Sequence, residues 1–330
     1  MISRHSKHRL VPAILVALMF FSFSIPASSP VRKGIDTPGV RRSMTDIHPT
    51  ATFPVEGSPD WMVVAEDAVW VTSARRNHVV RLDATTNLPT SIVTVNKPCS
   101  GLAAGFGSIW IPSCGDRSLL RVDERSAQIV ATIGAPPAES EGGIATGAGS
   151  VWLTTDRKGT LSRVDPNTNA IVASIPIAPG SFAAAFEDGA VWVTSTEKNL
   201  VTRVDPGTNK ATATVPVGPK PRFLTAGAGS IWTLNQGDGS VSRVNAKTNK
   251  LEATIPAGVP GEGGEIAFGE GAVWVTMFDF PITRIDPVVN RVVAQWAGPG
   301  GDSIRVGHGS LWLTDMKRQT VLRIRPLPTL

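Results

Sequence analysis

The sequence predicts an all-β protein built from seven copies of one unit, and three observations lead to this prediction. Seven tryptophans recur 38 to 42 residues apart, and an arginine follows each of them ten or eleven residues later. Between these markers the chain is rich in Val, Ile and Thr and carries regularly placed turn residues. The tryptophans are Trp70, Trp110, Trp152, Trp192, Trp232, Trp274 and Trp312. A fixed period of about 40 residues is typical of repeat architectures.

Each unit contains four segments with strand character, which in the third copy are GIATG, SVWLTT, LSRVD and IVASIPI. A G-x-G-S turn joins the first two segments, because glycine readily adopts the positive φ that a tight hairpin needs. The sequence DPNTN joins the last two, and Asp, Pro and Asn each suit a turn. Each unit is therefore predicted to form a four-stranded antiparallel meander.

Meanders with apolar residues on both faces bury those faces when they stack radially, which predicts a seven-bladed β-propeller. The last unit ends after its third segment, whereas residues 50–55 resemble a fourth segment that has no unit of its own. We therefore predict that residues 50–55 pair with residues 321–325 and complete the last blade. This pairing closes the ring and removes an open sheet edge.

The N-terminal residues have the pattern of a secretory signal peptide. Arg4, Lys7 and Arg9 precede an apolar run at residues 10–25, and small residues follow it. A retained membrane anchor is the alternative, but the run is shorter than the roughly twenty residues that span a bilayer. We predict a signal peptide at 1–28, a flexible linker at 29–48 and the propeller at 49–330. The protein is then secreted or periplasmic, with no membrane span after cleavage.

The net charge of +5 belongs to the N-terminal region and not to the predicted propeller. Residues 1–48 hold seven Lys and Arg against two acidic residues, and the remainder holds 25 of each kind. A basic stripe of the kind that binds nucleic acid is therefore not expected. We expect a monomer whose partner is a small molecule, a protein or a cell-surface group.

The two cysteines, Cys99 and Cys114, are predicted to form a disulfide. They face each other across the hairpin that turns at residues 105–107, and an exported chain keeps such a bond. Metal binding is the weaker alternative, because two ligands without a nearby histidine do not make a site.

Seven copies of one unit give an internal comparison for each position. Residues that all copies share are interpreted as structural, so the seven tryptophans are predicted to pack between blades. The arginines that follow them are predicted to stack on the indoles or to bond a neighbouring turn. Function is sought where single copies depart from the rest.

The departures cluster where the first strands begin, at the predicted mouth of the channel. Asp60, Arg222, Glu265 and Asp302 replace small or apolar residues of the other copies, and Trp61 is an aromatic exception one position later. The residues predicted to flank the same mouth are Glu139, Glu141, Glu262 and Arg305. Three residues after the last tryptophan comes Asp315, the one charged residue at that position.

Carboxylates that converge on an axial opening can hold Mg²⁺ or Ca²⁺ or act as acid and base, and Arg222 can bind an anionic group. The catalytic candidates are Glu265, Asp302 and Asp315. The alternative is a solvated rim whose charges have little effect. The sequence contains no zinc-type histidine spacing, phosphate-binding glycine loop or nucleophile elbow.

The segment VTRVDPGTNKATATVPVG at 201–218 resembles the YVTN-type β-propeller repeat, and the G-x-[VIL]-W-[VL]-T half is similar to the repeat of virginiamycin B lyase and its relatives. The first resemblance implies an exported binding propeller. The second implies a magnesium-assisted elimination that opens a streptogramin lactone, with His and Glu at the channel mouth.

The sequence departs from the lyase pattern at its histidine position. Where that histidine would follow proline, this chain has Arg222 after Pro221, and no copy ends its W-x-T segment in glutamate. An arginine does not exchange protons as an imidazole does at ordinary pH. We therefore predict a protein that binds a ligand or partner at the mouth without catalysis. The alternative is a metal-assisted lyase or lactone hydrolase that uses the carboxylates.

Overall fold

Seven antiparallel sheets form from the repeated units. The computed structural model describes residues 1–2, 31–138, 141 and 143–325. Apart from residues 1–2, the predicted signal peptide lies outside the described residues, as does Glu139. Two short 3-10 turns, Met44–Asp46 and Ala74–Arg76, accompany the strands.

The strands described are short, from three to seven residues each. In chain order they are β1 (Arg41–Ser43), β2 (Ala51–Pro54), β3 (Pro59–Val64), β4 (Ala68–Ser73), β5 (His78–Asp83), β6 (Pro89–Thr94), β7 (Ala103–Gly105), β8 (Ser108–Ser113), β9 (Ser118–Asp123), β10 (Ile129–Ile133), β11 (Ile144–Gly147), β12 (Ser150–Asp156), β13 (Thr160–Asp165), β14 (Ala170–Pro176), β15 (Ser181–Glu187), β16 (Ala190–Ser195), β17 (Leu200–Asp205), β18 (Lys210–Pro216), β19 (Pro221–Gly227), β20 (Ser230–Asn235), β21 (Ser240–Asn245), β22 (Lys250–Pro256), β23 (Glu265–Gly269), β24 (Ala272–Met277), β25 (Phe280–Asp286), β26 (Arg291–Ala297), β27 (Ile304–Gly307), β28 (Ser310–Asp315) and β29 (Thr320–Ile324).

Blades 1 to 6 each take four consecutive strands, from β3–β6 in blade 1 to β23–β26 in blade 6. Blade 7 consists of β27, β28 and β29 together with β2 from the other end of the chain. The first strands of neighbouring blades contact each other around the whole ring, including β27 with β3. The predicted seven-bladed propeller is therefore confirmed.

The ring closes as predicted. Strand β2 pairs antiparallel with β29, so that Ala51 faces Arg323 and Pro54 faces Thr320. Phe53 on β2 is buried, and its ring lies 5.5 Å from that of Trp312, centroid to centroid. The closing strand therefore contributes apolar packing as well as backbone hydrogen bonds.

The repeated tryptophans and arginines hold the blades together. Each of the seven repeated tryptophans is at most 1% exposed and faces its arginine across the second and third strands of the blade, as in the Trp152–Arg163 pair. Arg163 lies over the Trp152 ring at 5.1 Å and donates to Pro206 O and Asn209 Oδ1 of the next blade. The same combination occurs at Arg121, Arg243 and Arg323. Arg81 instead donates to Thr90 and Asp67 of its own blade. In four of the copies, therefore, both predicted roles of the arginine occur together.

Residues 31–48 differ from the predicted flexible linker. Strand β1 adds to blade 6 as a fifth strand, parallel to β26. The guanidinium of Arg41 lies 5.6 Å from the Phe280 ring and that of Arg42 lies 5.4 Å from the Trp296 ring. Arg41 and Arg42, which the sequence assigned to a flexible linker, thus pack on aromatic rings of blade 6.

Cys99 and Cys114 form the predicted disulfide, with Cα atoms 5.8 Å apart. It joins the connection between blades 1 and 2 to the turn between the second and third strands of blade 2. Within the described residues, no helix is long and apolar enough to cross a membrane.

Candidate functional site

The mouth, which is the end of the ring where the first strands begin, contains a cavity of about 300 Å³ that we call the central cavity. Five blades or their connections contribute to its wall. The lining residues are Asp60, Trp61, Glu141, Arg222, Phe223, Glu262, Gly263, Gly264, Phe278, Asp302 and Met316. The predicted site residues Asp60, Trp61, Glu141, Arg222 and Asp302 are thus brought together.

Two further cavities adjoin the central one. The lateral cavity, of about 350 Å³, shares Arg222 and Glu262 with it and extends towards Arg157 and Lys220. The disulfide cavity, of about 300 Å³, shares Asp60, Trp61 and Glu141 with the central cavity. It extends to Cys99 and Cys114. The mouth is therefore a continuous basin in which the central cavity is the shared compartment.

Asp60 and Asp302 form a carboxyl pair from blades 1 and 7. Burial, the nearby Asp302 carboxylate and a hydrogen bond to it raise the pKa of Asp60 well above its usual range. Burial and the negative charges of Glu265 and Glu141 raise the pKa of Asp302 to about 6. Two carboxyls this close do not both ionise readily, so the pair holds a shared proton near neutral pH.

Glu265 is 3% exposed and is engaged on both oxygens. Arg305 donates to its Oε1 at 2.5 Å, while the Ser303 hydroxyl at 2.5 Å and the Ile304 backbone N–H at 3.2 Å donate to Oε2. Neither Glu265 nor Arg305 lines the central cavity. The structure therefore pairs the catalytic candidate Glu265 with Arg305, which was predicted to bind ligand.

Arg222 is held by aromatic rings and a carboxylate. Its guanidinium lies 4.6 Å from the Phe182 ring and 5.6 Å from the Phe223 ring, and Nη2 donates to Glu141. Cation–π contact and a charge-assisted hydrogen bond together fix its position. Its Nε atom is buried without a hydrogen-bond partner in the described part of the chain, so one donor stays free.

Asp315 does not join this group. It is 3% exposed and accepts hydrogen bonds from the backbone N–H of Arg318 and from the Arg318 guanidinium, both at 2.9 Å. Ser113 and Ser195 occupy the same position in their blades and also bond within the turn that follows. Asp315 therefore organises a turn, and the cavities described above do not include it in their walls.

Two lining residues, Phe278 and Met316, were missed by the sequence analysis although a signal for them exists. They stand four residues after their tryptophans, one position beyond the last one compared. At that position the copies read Ala74, Cys114, Asp156, Thr196, Gln236, Phe278 and Met316. Five of these seven residues line one of the three cavities. This position of the repeat therefore faces the basin.

The described residues do not fit a resident metal ion. In the part of the chain that the structure describes, no group of three or more His, Cys, Asp or Glu side chains lies close enough to hold one. Asp60 and Asp302 are adjacent, but Glu265 is taken by Arg305 and Glu141 by Arg222. Mg²⁺ and Ca²⁺ take six or more oxygen ligands, whereas the carboxyls that line the central cavity without an ion-pair partner are those of Asp60, Asp302 and Glu262.

A strap of residues from the N-terminal segment supports the wall of the cavity from behind. Arg32 donates to Pro260 O and Glu262 O, both at 2.9 Å, and lies 5.9 Å from the Phe278 ring. Gly34 N–H donates to Gly258 O at 2.9 Å. The loop that supplies Glu262 and Gly263 to the cavity is thereby bonded to a segment more than two hundred residues away.

Several solved structures share this fold. The structure of streptogramin B lyase superposes with a TM-score of 0.71 at 17% identity, over 83% of this chain and 96% of that chain. Virginiamycin B lyase from Staphylococcus aureus superposes with a TM-score of 0.70 at 14% identity, over 84% and 98%. Its catalytically inactive histidine-to-alanine variant with quinupristin gives 0.71 at 15% identity over the same shares.

At these identities the likeness establishes the fold, which is that of a virginiamycin B lyase-like propeller. No protein-family model matches the chain, and no curated protein sequence matches it. The resemblance to the YVTN-type repeat is compatible with the fold and stays a prediction.

Proposed function

We propose, from the premise that this chain shares the propeller fold of the virginiamycin B lyases, that it is an exported protein that binds a small molecule in the central cavity. Export is supported by the N-terminal leader pattern and by the Cys99–Cys114 disulfide, a bond that persists in oxidising compartments. Propellers host both binding and catalysis, so the function has to be argued from the site.

The observation that carries the proposal is convergence. The repeat gives small or apolar residues at the mouth, yet four of the residues that depart from it, Asp60, Trp61, Arg222 and Asp302, line one cavity. Asp60, Arg222 and Asp302 come from blades 1, 5 and 7, far apart in the chain. A solvated rim has no reason to collect its charged residues in one concave place beside aromatic rings. A concave site with apolar walls and a few convergent polar groups is typical of small-molecule binding.

Binding is favoured over lyase chemistry because the site lacks an imidazole. A histidine-to-alanine variant of virginiamycin B lyase is catalytically inactive, so that enzyme requires a histidine. Among the described residues, no histidine lines any of the three cavities. The one that could be sought there by sequence, at position 222, is an arginine stacked on Phe182.

The experiment is a binding screen with matched variants. Native mass spectrometry of the protein purified from its own compartment, followed by a thermal-shift screen of a mixed small-molecule library, should find ligands. Binding should be lost in Asp302→Asn and kept in Asp188→Asn, which makes the same chemical change on an exposed turn at the opposite end of the ring. If no ligand depends on Asp302 or its neighbours in the central cavity, the proposal fails.

A second candidate is acid–base chemistry on an ester or lactone, and the carboxyl pair favours it. With the pKa of Asp302 at about 6 and the proton shared with Asp60, one group can donate while the other accepts near neutral pH. Mass spectrometry of a lactone panel that includes a streptogramin B tests this candidate. If every lactone stays intact with wild-type protein, with or without added Mg²⁺, the candidate is rejected.

A further inference from the structure

We propose that the central cavity selects an organic cation, namely a protonated amine carried on an apolar or aromatic body. This inference rests on the proposed function and specifies the chemical class of its ligand. It is argued from the charges of the cavity, from its aromatic wall and from the position of the carboxyl pair.

The cavity carries negative charge without matching positive charge. Four acidic residues and one arginine line it, and Glu141 already pairs with that arginine, Arg222. The other three acids, Asp60, Asp302 and Glu262, form no ion pair with any described residue. An anionic ligand would meet these carboxyls, whereas a cation would be attracted by them.

The apolar part of the wall is suited to a cation as well. Trp61, Phe223 and Phe278 present aromatic rings to the cavity, and ring faces attract ammonium and guanidinium groups. The chain itself shows this type of recognition, because Arg222 lies over Phe182 and Phe223 with Glu141 as its counter-ion. A ligand amine in the central cavity would make the same two kinds of contact, one with an aromatic ring and one with a carboxylate.

The carboxyl pair gives the amine a defined seat. Asp60 is partly buried, lines both the central and the disulfide cavity, and has another carboxyl, Asp302, as its side-chain partner. The charged groups near the pair are Glu141, Glu265 and Glu262, with Arg222 and Arg305 each bonded to a carboxylate, and Lys97, which lines the disulfide cavity together with Asp60. Because the pKa of each carboxyl is raised, the pair favours keeping a proton. An ammonium placed between them supplies the positive charge instead, so the amine binds as a proton leaves.

The test is a charge series on one apolar body, measured by isothermal titration calorimetry with the full mature chain. Phenethylamine, 2-phenylethanol and phenylacetate carry a positive, a neutral and a negative group on similar frames. We expect phenethylamine to bind at least roughly tenfold more tightly than the alcohol and phenylacetate not to bind. Its affinity should rise roughly tenfold between about pH 5 and pH 7, and two buffers with different ionisation enthalpies should report a released proton.

Variants and competing ions complete the test. Asp302→Asn should remove both the preference for the amine and its dependence on pH, while Asp188→Asn should leave both unchanged. Equal binding of amine and alcohol, or preference for phenylacetate through Arg222, overturns the inference and leaves mouth binding intact. Displacement of the amine by Mg²⁺ or Ca²⁺ at lower concentration also overturns it, since the selected cation is then a metal. If none of the three probes binds, the inference that the cavity selects an organic cation is also overturned. The library screen tests the proposed small-molecule binding separately.

Discussion

The indole ring of Trp61 lies 5.6 Å from the phenyl ring of Phe223, centroid to centroid, so blades 1 and 5 touch each other across the axis of the ring. Phe182 of blade 4 meets Phe223 edge to face at the same distance. The three rings form an aromatic cluster, in which Trp61 and Phe223 line the central cavity and Phe182 lines the lateral cavity. This part of the mouth is therefore built from departures in three separate copies of the repeat.

Replacing Trp61 by alanine should destabilise the protein and enlarge the cavity. Trp61 is 6% exposed, and removal of a buried aromatic side chain costs about 3–5 kcal/mol. Urea denaturation measures the loss. Trp61→Phe keeps an aromatic ring against Phe223 and should recover most of the lost free energy. Equal destabilisation by both variants would contradict the role assigned to the ring contact.

Replacing Asp302 by asparagine should stabilise the protein at neutral pH and not in acid. Burial raises the pKa of Asp302 to about 6, so the folded state favours its protonated form. That stabilisation is fully present below the unfolded pKa of about 4 and is lost as the pH rises through about 6. Asp302→Asn avoids the loss and should gain roughly 1–2 kcal/mol at pH 7–8, a figure reduced for partial solvation of the carboxyl.

Chemical denaturation across this pH range checks the sign of that change. The difference between Asp302→Asn and wild type should close near about pH 4 and grow towards neutral pH. Asp188→Asn, on an exposed turn, should show no such trend. A gap that widens in acid would show that the carboxyl pair does not hold its proton in the fold.

Removing Arg305 alone from the buried Arg305–Glu265 ion pair should destabilise the protein, and removing the charge of Glu265 as well should restore its stability. Arg305→Met leaves the Glu265 carboxylate, 3% exposed, without its counter-ion, which costs about 3–5 kcal/mol for a buried pair. Adding Glu265→Gln to this variant removes the stranded charge and should restore most of the free energy of unfolding. Arg76→Met breaks the exposed Arg76–Glu56 pair and should change it by less than about 1 kcal/mol. Thermal and urea unfolding distinguish these three results.

The closing strand should be necessary for a stable ring. Phe53→Ala removes a side chain that is 1% exposed and packs on Trp312, with an expected loss of about 3–5 kcal/mol. Deletion of residues 50–55 also exposes the edge of β29 and should lower the melting temperature further. Phe106→Ala, in an exposed turn at the opposite end, serves as control. A deletion variant as stable as wild type would show that the ring does not depend on β2.

Removing the Arg32 side chain should loosen the wall of the central cavity while the propeller stays folded. Arg32→Ala loses two hydrogen bonds to the carbonyls of Pro260 and Glu262. Amide hydrogen exchange in residues 258–263 should therefore become faster. Arg42→Ala removes a comparable cation–π contact, over Trp296, without touching that loop, and should leave its exchange unchanged. Equal exchange in the two variants would contradict the bracing role.

The residues common to all copies could be interpreted from the sequence because each copy is a local structure. Trp152, Arg163 and the turn at residues 165–169 lie within about 20 residues of one another, and their pattern specifies strands, hairpins and a buried indole. The period then fixed the number of blades, and the incomplete last unit identified β2 as its missing strand. The disulfide followed from the register of one hairpin.

The composition of the site was only partly predictable. The comparison of copies identified Asp60, Trp61, Arg222 and Asp302, since each departs from its repeat. It did not show that Glu265 and Arg305 neutralise each other or that Asp315 bonds within its own turn. Whether a charge faces a cavity or a counter-ion depends on contacts between blades, which a pattern within one blade does not contain.

The sequence by itself thus determined the repeat, the blades, the closing strand and the end of the ring where function is sought, because hydrogen bonds and apolar periodicity within some forty residues specify them. Only the tertiary structure decided which departures from the repeat share one cavity, which pair off, and that Arg32 supports the cavity wall. These relations join residues from different copies, and their energies depend on distances and burial that arise when the ring closes.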